Sequence, residues 1–217
     1  MNINDLAGTE LFACIGLDEL EGLLGCIQAR CVHYRKGELI IEEGSAVTEF
    51  GVMLSGHGRS IKWDASGKLI ILTLIGKGDV LGVMLAANPG CKSPVAVQAA
   101  EDTAVMLAPF SCVAARCEKN CPRHEQLLKN YLGAVAAKGL ELHERLNCLL
   151  SHTARDKILA YLLKISCEQQ SRTFYAPINR NTMAEYLNIE RSALSRELSR
   201  MKKDGLLDYH KNCFRLL

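Results

Sequence analysis

Apolar and polar positions follow two different periods along this chain. From about Cys31 to Pro109, short apolar runs such as Leu39-Ile40-Ile41, Val52-Met53-Leu54 and Leu69-Ile70-Ile71-Leu72-Thr73-Leu74-Ile75 are separated by closely spaced glycines: Gly37, Gly44, Gly51, Gly56, Gly58, Gly67, Gly76, Gly78 and Gly82. Short β-branched and apolar runs with turn residues between them predict an all-β barrel or roll. Asp64-Ala65-Ser66-Gly67-Lys68 reads as a hairpin turn inside it. Ahead of the roll, Leu20, Leu23, Leu24 and Ile27 share one face of a helix over Asp18 to Ile27, which is expected to cap it.

After Pro122 the period lengthens. Leu128, Val135, Leu142 and Leu149 recur every seventh residue, and Leu132, Gly139 and Leu146 form a second series offset by four. Two interleaved series of this kind are the seam of a paired helix. A helix of about 28 residues is about 42 Å long, more than a small domain needs internally, so pairing with a second copy is expected. Gly139 and Ala136 would let two backbones approach closely.

Ser151-His152-Thr153 then offers capping residues for a helix from Ala154 to about Gln169, with Ile158, Leu159, Leu162 and Leu163 expected inward. A short extended piece, Phe174 to Ile178, follows. Two helical segments separated by a tight turn come next. Met183, Ala184 and Leu187 form the inward face of the first, Asn188 suits the left-handed turn, and Leu194, Leu198 and Met201 line the second. Leu206 to Tyr209 and Phe214 to Leu217 flank His210-Lys211-Asn212-Cys213 and predict a terminal hairpin, a wing.

Arg191, Ser192, Ser195, Arg196 and Ser199 fall on the polar side of that second helix. A helix-turn-helix reader of DNA needs such a stripe in the major groove, and an Arg fork matches the O6 and N7 atoms of guanine. Arg191, Ser192, Ser195 and Arg196 are therefore the expected base contacts, and Arg180, Ser199, Arg200, Lys202 and Lys203 the expected phosphate contacts. Charge agrees with this. From Thr153 onward there are 12 Lys/Arg against 7 Asp/Glu, a net +5, whereas the preceding part has 14 against 17, a net −3; the whole chain carries +2.

Composition narrows the remaining choices. At 217 residues and 48% hydrophobic, the chain can bury one large core or two modest ones. It has no apolar run long enough to span a membrane and no basic-then-apolar leader, so a cytoplasmic location without membrane attachment is expected. In that compartment its ten cysteines read as reduced thiols, metal ligands or redox sensors. There is no Walker loop, no His-Glu-x-x-His, no Gly-x-Ser-x-Gly and no paired zinc-spaced cysteines, so an enzyme is not expected.

The sequence of roll, long heptad helix and winged helix-turn-helix resembles the transcription regulators of the cyclic-AMP receptor protein and FNR (Crp/Fnr) family. The resemblance rests on Lys36-Gly37-Glu38-Leu39-Ile40 with Gly44, on Leu54-Ser55-Gly56, on Gly76-Lys77-Gly78-Asp79-Val80-Leu81-Gly82, and on Arg191 to Gly205. It implies an α+β chain in three parts. Residues 1–121 would form a double-stranded β-helix, jelly-roll-like, that senses an effector; 122–152 a dimerisation helix using Leu128, Leu132, Val135, Gly139, Leu142, Leu146 and Leu149; and 153–217 the winged helix-turn-helix domain. It also implies a homodimer on a roughly palindromic operator, with half-sites about 34 Å apart, and RNA polymerase as a further partner.

The effector is less legible. Cyclic-nucleotide members place a Gly-Glu pair after the Gly-Asp turn and an Arg-Ser pair about ten residues on. The corresponding region here is Gly82, Val83, Met84 and then Lys92, Ser93, Pro94, without the forked cation a buried cyclic phosphate requires. Cyclic AMP is therefore not the expected effector. Haem, a metal ion, an iron–sulfur cluster and a small organic acid stay open. Cys14, Cys26 and Cys31 lack the tight spacing of the FNR cluster, while Cys112, Cys117, Cys121 and His124 are closer together and form the candidate metal or redox group. The alternative to a DNA-binding regulator is a cytosolic metal- or thiol-based redox protein that does not bind DNA.

Overall fold

The computed structural model describes residues 3–64, 67, 69–115 and 122–217. Two compact units divide the chain, one of residues 1–62 and 72–141, the other of residues 63–71 and 142–217.

In the first unit, α1 (Asn4–Ala7), a single 3-10 turn (Glu10–Phe12) and α2 (Leu17–Cys26) precede the strands. One sheet has the order β1-β8-β3-β6, from Arg30–Tyr34, Thr103–Pro109, Glu49–Ser55 and Val80–Leu81. The other has the order β2-β7-β4-β5, from Leu39–Ile41, Ala96–Ala99, Gly58–Trp63 and Leu69–Ile75. β1 and β3 both pair antiparallel with β8, as β2 and β4 do with β7. Ile41, Met53, Ile75, Leu81, Val97, Val105 and Leu107 come from both sheets and share one core, which makes the pair a filled β-roll. Burial in this roll drives the fold at roughly 25 cal/mol per Å² of apolar surface removed from water.

A second core in this unit lies outside the roll. Leu20, Leu23, Leu24 and Ile27, the helical face expected from the sequence, pack there with Phe12, Phe50, Met106, Leu127 and Tyr131. Glycine is demanded where the turns are tightest. Gly56 has φ +76°, and a Cβ there would sit 2.6 Å from Asp102 O. The hairpin turn between β4 and β5 has Gly67 N–H donating to Asp64 O at 2.9 Å, with φ +79° at the glycine; Ala65, Ser66 and Lys68 of that turn lie outside the described residues.

α5 (Pro122–Leu150) is one helix of 29 residues, about 43 Å long. His124, Leu127, Tyr131 and Ala134 are buried, at the three- and four-residue spacing of a single face, and Leu128 and Val135 pack beside them against the same core. Leu132 is 63% exposed and Leu140 68%, on the side away from that face, and farther along the helix Leu142, Leu146 and Leu150 are also exposed. The heptad seam read from the sequence thus mixes two surfaces, since Leu128 and Val135 contribute to the core of their own unit.

The second unit is built on α6 (Ala154–Glu168), whose N-cap Thr153 accepts from Asp156 N–H. Ile158, Tyr161, Leu162 and Ile165 are its buried residues. Leu163, expected inward, is exposed, because the buried stripe runs 158, 161, 162, 165 and turns position 163 to the other side. β9 (Thr173–Tyr175), β10 (Leu207–His210) and β11 (Cys213–Leu216) form a three-stranded sheet in the order β10-β11-β9. Between them lie α7 (Arg180–Leu187) and α8 (Arg191–Lys203). Their buried residues, Met183, Ala184, Leu187, Leu194, Leu198 and Met201, join Phe174, Leu207 and Phe214 in one core. Among the described residues no helix is long and apolar enough to cross a membrane.

Candidate nucleic-acid interface

α7 and α8 are joined by three residues whose geometry is set locally. Asn179 caps α7, its side chain accepting from the N–H groups of Asn181 and Thr182. At the other end Asn188 has φ 49° and ψ 52°, and Ile189 N–H donates to Ala184 O at 3.0 Å, a left-handed helix closure that asparagine tolerates better than most residues. α8 then starts immediately with Arg191, and its inward residues Leu194, Leu198 and Met201 fix its rotation about its own axis.

That rotation exposes Arg191, Ser192, Ser195, Arg196 and Ser199. Arg191 and Arg196 form no ion pair and donate no side-chain hydrogen bond among the described residues, so both forks are free. Their neighbours are engaged. Arg155 on α6 bridges Glu197 at 2.6 Å and Asp204 at 2.7 Å, bracing both ends of the last turns of α8. Arg200 lies 3.4 Å from Glu197. Lys202 pairs with Asp208 on β10 at 2.6 Å, and this contact raises the lysine and lowers the carboxyl from their ordinary values. Ser199 Oγ donates back to Ser195 O at 3.0 Å and lies 3.4 Å from the Tyr209 hydroxyl. Lys203 is exposed at the end of α8.

Of the residues expected to touch phosphate, Arg180 is held most firmly. Its Nη2 donates to Lys211 O at 2.7 Å, and its guanidinium lies over Phe214 and Tyr209 at 4.5 and 5.0 Å. Burial lowers its pKa from the ordinary value. Asn179, Arg180, Asn181, Arg191, Lys211 and Asn212 line one shallow concavity between the start of α7, the start of α8 and the wing turn. Lys211 was read from the sequence only as part of the turn. A basic residue at the tip of a predicted wing is the signal that marks it.

A second arginine in this unit was not singled out by sequence reasoning. Arg145, on the last turns of α5, is 4% exposed and has no carboxylate partner among the described residues. It donates to the carbonyl oxygens of Ile71, at 2.8 Å, and Tyr186, and its guanidinium lies 3.9 Å over the Tyr186 ring. Desolvation lowers its pKa. The Tyr186 carbonyl belongs to the last turn of α7, where unpaired helix carbonyls attract a cation.

In the roll, the cassette after the Gly-Asp turn is α3 (Val83–Ala86), opened by Gly82 at φ +71°, where a Cβ would stand 3.0 Å from Glu49 O. Val83 is buried and its carbonyl accepts from the Tyr131 hydroxyl at 2.7 Å; Met84 is exposed. Ser93 is buried, with Oγ donating to Val95 O at 2.6 Å and N–H to Ser45 O at 2.8 Å. Lys62 Nζ donates to Pro94 O and pairs with Glu43, while Lys92 is exposed. The one buried hydroxyl is thus committed to the chain itself and no forked cation stands at Lys92, Ser93 and Pro94. These residues do not fit a cyclic nucleotide phosphate.

Of the candidate metal group, Cys117 and Cys121 lie outside the described residues. Cys112 packs at the edge of the second core of its unit, and His124 is buried with Nδ1 lacking a hydrogen-bond partner among the described residues. Among those residues no three His, Cys, Asp or Glu side chains converge as metal ligands. Cys14 and Cys26 are exposed and Cys31 is partly buried.

Two family models match separate parts of the chain. Residues 31–120 match the cyclic nucleotide-binding domain family and residues 156–217 the Crp-like helix-turn-helix domain family. The chain is similar to the cyclic AMP receptor protein of Thermus thermophilus, with 27% identity over 203 residues, which is 93% of this chain and 89% of the relative. It is 24% identical over 188 residues to the transcriptional activator protein FnrA of Stutzerimonas stutzeri, covering 84% of this chain and 75% of the relative. Among solved structures, FixK2 from Bradyrhizobium japonicum superimposes with a TM-score of 0.67 at 24% identity, over 87% of this chain and 92% of that one.

Proposed function

Because the chain belongs to the Crp/Fnr family of transcription regulators and carries its DNA-binding helix-turn-helix and its effector domain, we propose that it acts in the cytoplasm as a homodimer that reads a duplex operator through α8. Arg191, Ser192, Ser195 and Arg196 read base edges, and Ser199, Arg200, Lys202 and Lys203 face the flanking phosphates. The observation that carries this reading is the pair of guanidinium groups, Arg191 and Arg196, unpaired among the described residues, on a stripe whose neighbours Arg200 and Lys202 are each paired with a carboxylate. Specificity comes from the forks left free, and placement from the flanking Arg200, Lys202 and Lys203. RNA polymerase is the further partner in this reading.

The three-part division at 121/122 and 152/153 is part of the same proposal, with the junction near Leu150 to Thr153, where α5 gives way to α6, as the hinge. The open side of α5 supports pairing with a second copy. The seam is centred on Leu132, Gly139, Leu142 and Leu146 together with Leu140, and Leu149 lies beside it. Leu128 and Val135 stand at its margin.

The roll is the sensing part, gated by an effector or a redox signal other than cyclic AMP. Cys112, Cys117, Cys121 and His124 are the proposed metal or redox group, supported by the buried Nδ1 of His124, which has no partner among the described residues. Metal analysis and an absorption spectrum of protein purified without oxygen test that assignment.

The DNA reading is tested by duplex binding across a salt series. Affinity should fall steeply with KCl, because each neutralised phosphate releases counterions. Binding that is absent, or indifferent to salt, overturns it.

A further inference from the structure

The wing turn is built from two residues, Lys211 and Asn212, between β10 and β11, which pair His210 with Cys213. Lys211 has φ +51°, a left-handed backbone that is strained for a lysine and persists only where the surroundings impose it. Both carbonyls of the turn are tied down. Asn212 O accepts from Ala176 N–H at 2.8 Å, and Lys211 O accepts from Arg180 Nη2 at 2.7 Å.

Arg180 is the first residue of α7, so a side chain of the helix-turn-helix itself holds the wing. Its planar group is seated over Phe214 and Tyr209, and Nη1 meets Met183 Sδ at 3.9 Å. A guanidinium committed to a carbonyl, two rings and a thioether has its position fixed from several sides. The lysine whose carbonyl it holds keeps an exposed side chain and lines the same concavity as Arg191.

We propose that Arg180 is a positioning residue for DNA binding: it sets the wing turn so that the Lys211 ammonium and the Arg191 guanidinium address one stretch of duplex, and Lys211 makes the phosphate contact there. This rests on the regulator reading above. It changes the assignment of two residues, moving the phosphate contact from Arg180 to a wing residue. Arg180 then acts through geometry, for which a lysine is no substitute because it lacks both the planar stacking surface and the fork.

The test is a double-mutant cycle of Arg180→Gln and Lys211→Gln, with Arg180→Lys beside it. It is read by fluorescence anisotropy across a KCl series on a labelled duplex selected from a randomised pool by the unaltered protein. Lys211→Gln keeps the same backbone demand and removes only the charge; it should weaken binding several-fold and reduce the salt slope by about one. Arg180→Gln should do the same, the double variant should lose no more than either single one, and Arg180→Lys should not restore binding.

Losses that multiply in the double variant, a rescue by Arg180→Lys, or an unaffected Lys211→Gln each overturn the inference. Thermal unfolding of the variants checks the wing, and the charge-retaining Arg180→Lys keeps the comparison open if Arg180→Gln unfolds. An unaltered protein with no salt-sensitive duplex binding instead overturns the regulator reading, so the two failures are distinguishable.

Discussion

The hydroxyl of Tyr131 donates to the carbonyl oxygen of Val83 at 2.7 Å, joining α5 to the short helix that follows the Gly-Asp turn of the roll. The ring that carries it is packed edge-on against Phe50 at 5.1 Å and tilted against Phe110 at 5.0 Å. Burial raises the phenol well above its ordinary pKa, so it remains a donor throughout the physiological range.

Replacing Tyr131 by Phe keeps the ring contacts and removes only this donor. Val83 O retains a long bond from Ala87 N–H at 3.4 Å, so the cost should fall at the lower end for a buried unpaired acceptor, about 1 kcal/mol. Urea unfolding of the variant against the unaltered protein measures it. No change in midpoint would show that the bond contributes nothing net.

Arg196→Ala and Arg191→Ala should each remove about 1 to 3 kcal/mol of discrimination between the selected operator and its single-base variants. Neither side chain supports the fold, so unfolding midpoints and subunit association should hold. A gel-shift series with unaltered base preference would remove these residues from the reading surface.

Leu140→Glu places a charge on the open side of α5, where a leucine that is 68% exposed has little intramolecular packing to lose. The stability of each subunit should change by no more than about 0.5 kcal/mol. Sedimentation velocity should nevertheless show the dimer replaced by monomer, and duplex binding should weaken with it. A variant that sediments as the unaltered protein does would move the pairing surface elsewhere.

Asp79 supplies a pH signature. Burial raises its carboxyl above the ordinary 3.8, against the partly compensating hydrogen bond from Gly76 N–H, 2.6 Å long. Between 3.8 and its folded value the folded chain keeps a proton that the unfolded chain has released. The group's contribution is therefore most favourable below 3.8 and declines as pH rises through that window. Urea melts over mildly acidic pH should show this slope in the unaltered protein and a flatter one in Asp79→Asn. Equal slopes would sink the assignment.

The reading helix was legible because its pattern is local. Leu194, Leu198 and Met201 repeat at helical spacing, which fixes the side on which Arg191 and Arg196 emerge, and Asn188 carries its turn preference in its own chemistry. Charges were legible in number and not in use. Nothing in the sequence says that Lys202 meets Asp208, that Arg155 spans Glu197 and Asp204, or that Arg145 is buried against backbone carbonyls, because each partner is brought up by tertiary packing. Leu163 and Leu128 show the same limit for apolar residues. Periodicity ranks positions on a helix, but which stripe turns inward depends on what the helix lies against.

Asn188 touches no nucleotide in the proposed reading, yet its left-handed backbone sets where α7 stops and at what angle α8 sets out. Glycine, aspartate and a few others can occupy that conformation, and β-branched residues resist it. Sequences drifting under selection for the same operator should consequently keep a very short alphabet at 188 while the residues that face solvent nearby turn over freely. The turn would then be an inherited constraint on which binding sites this regulator's descendants can come to recognise.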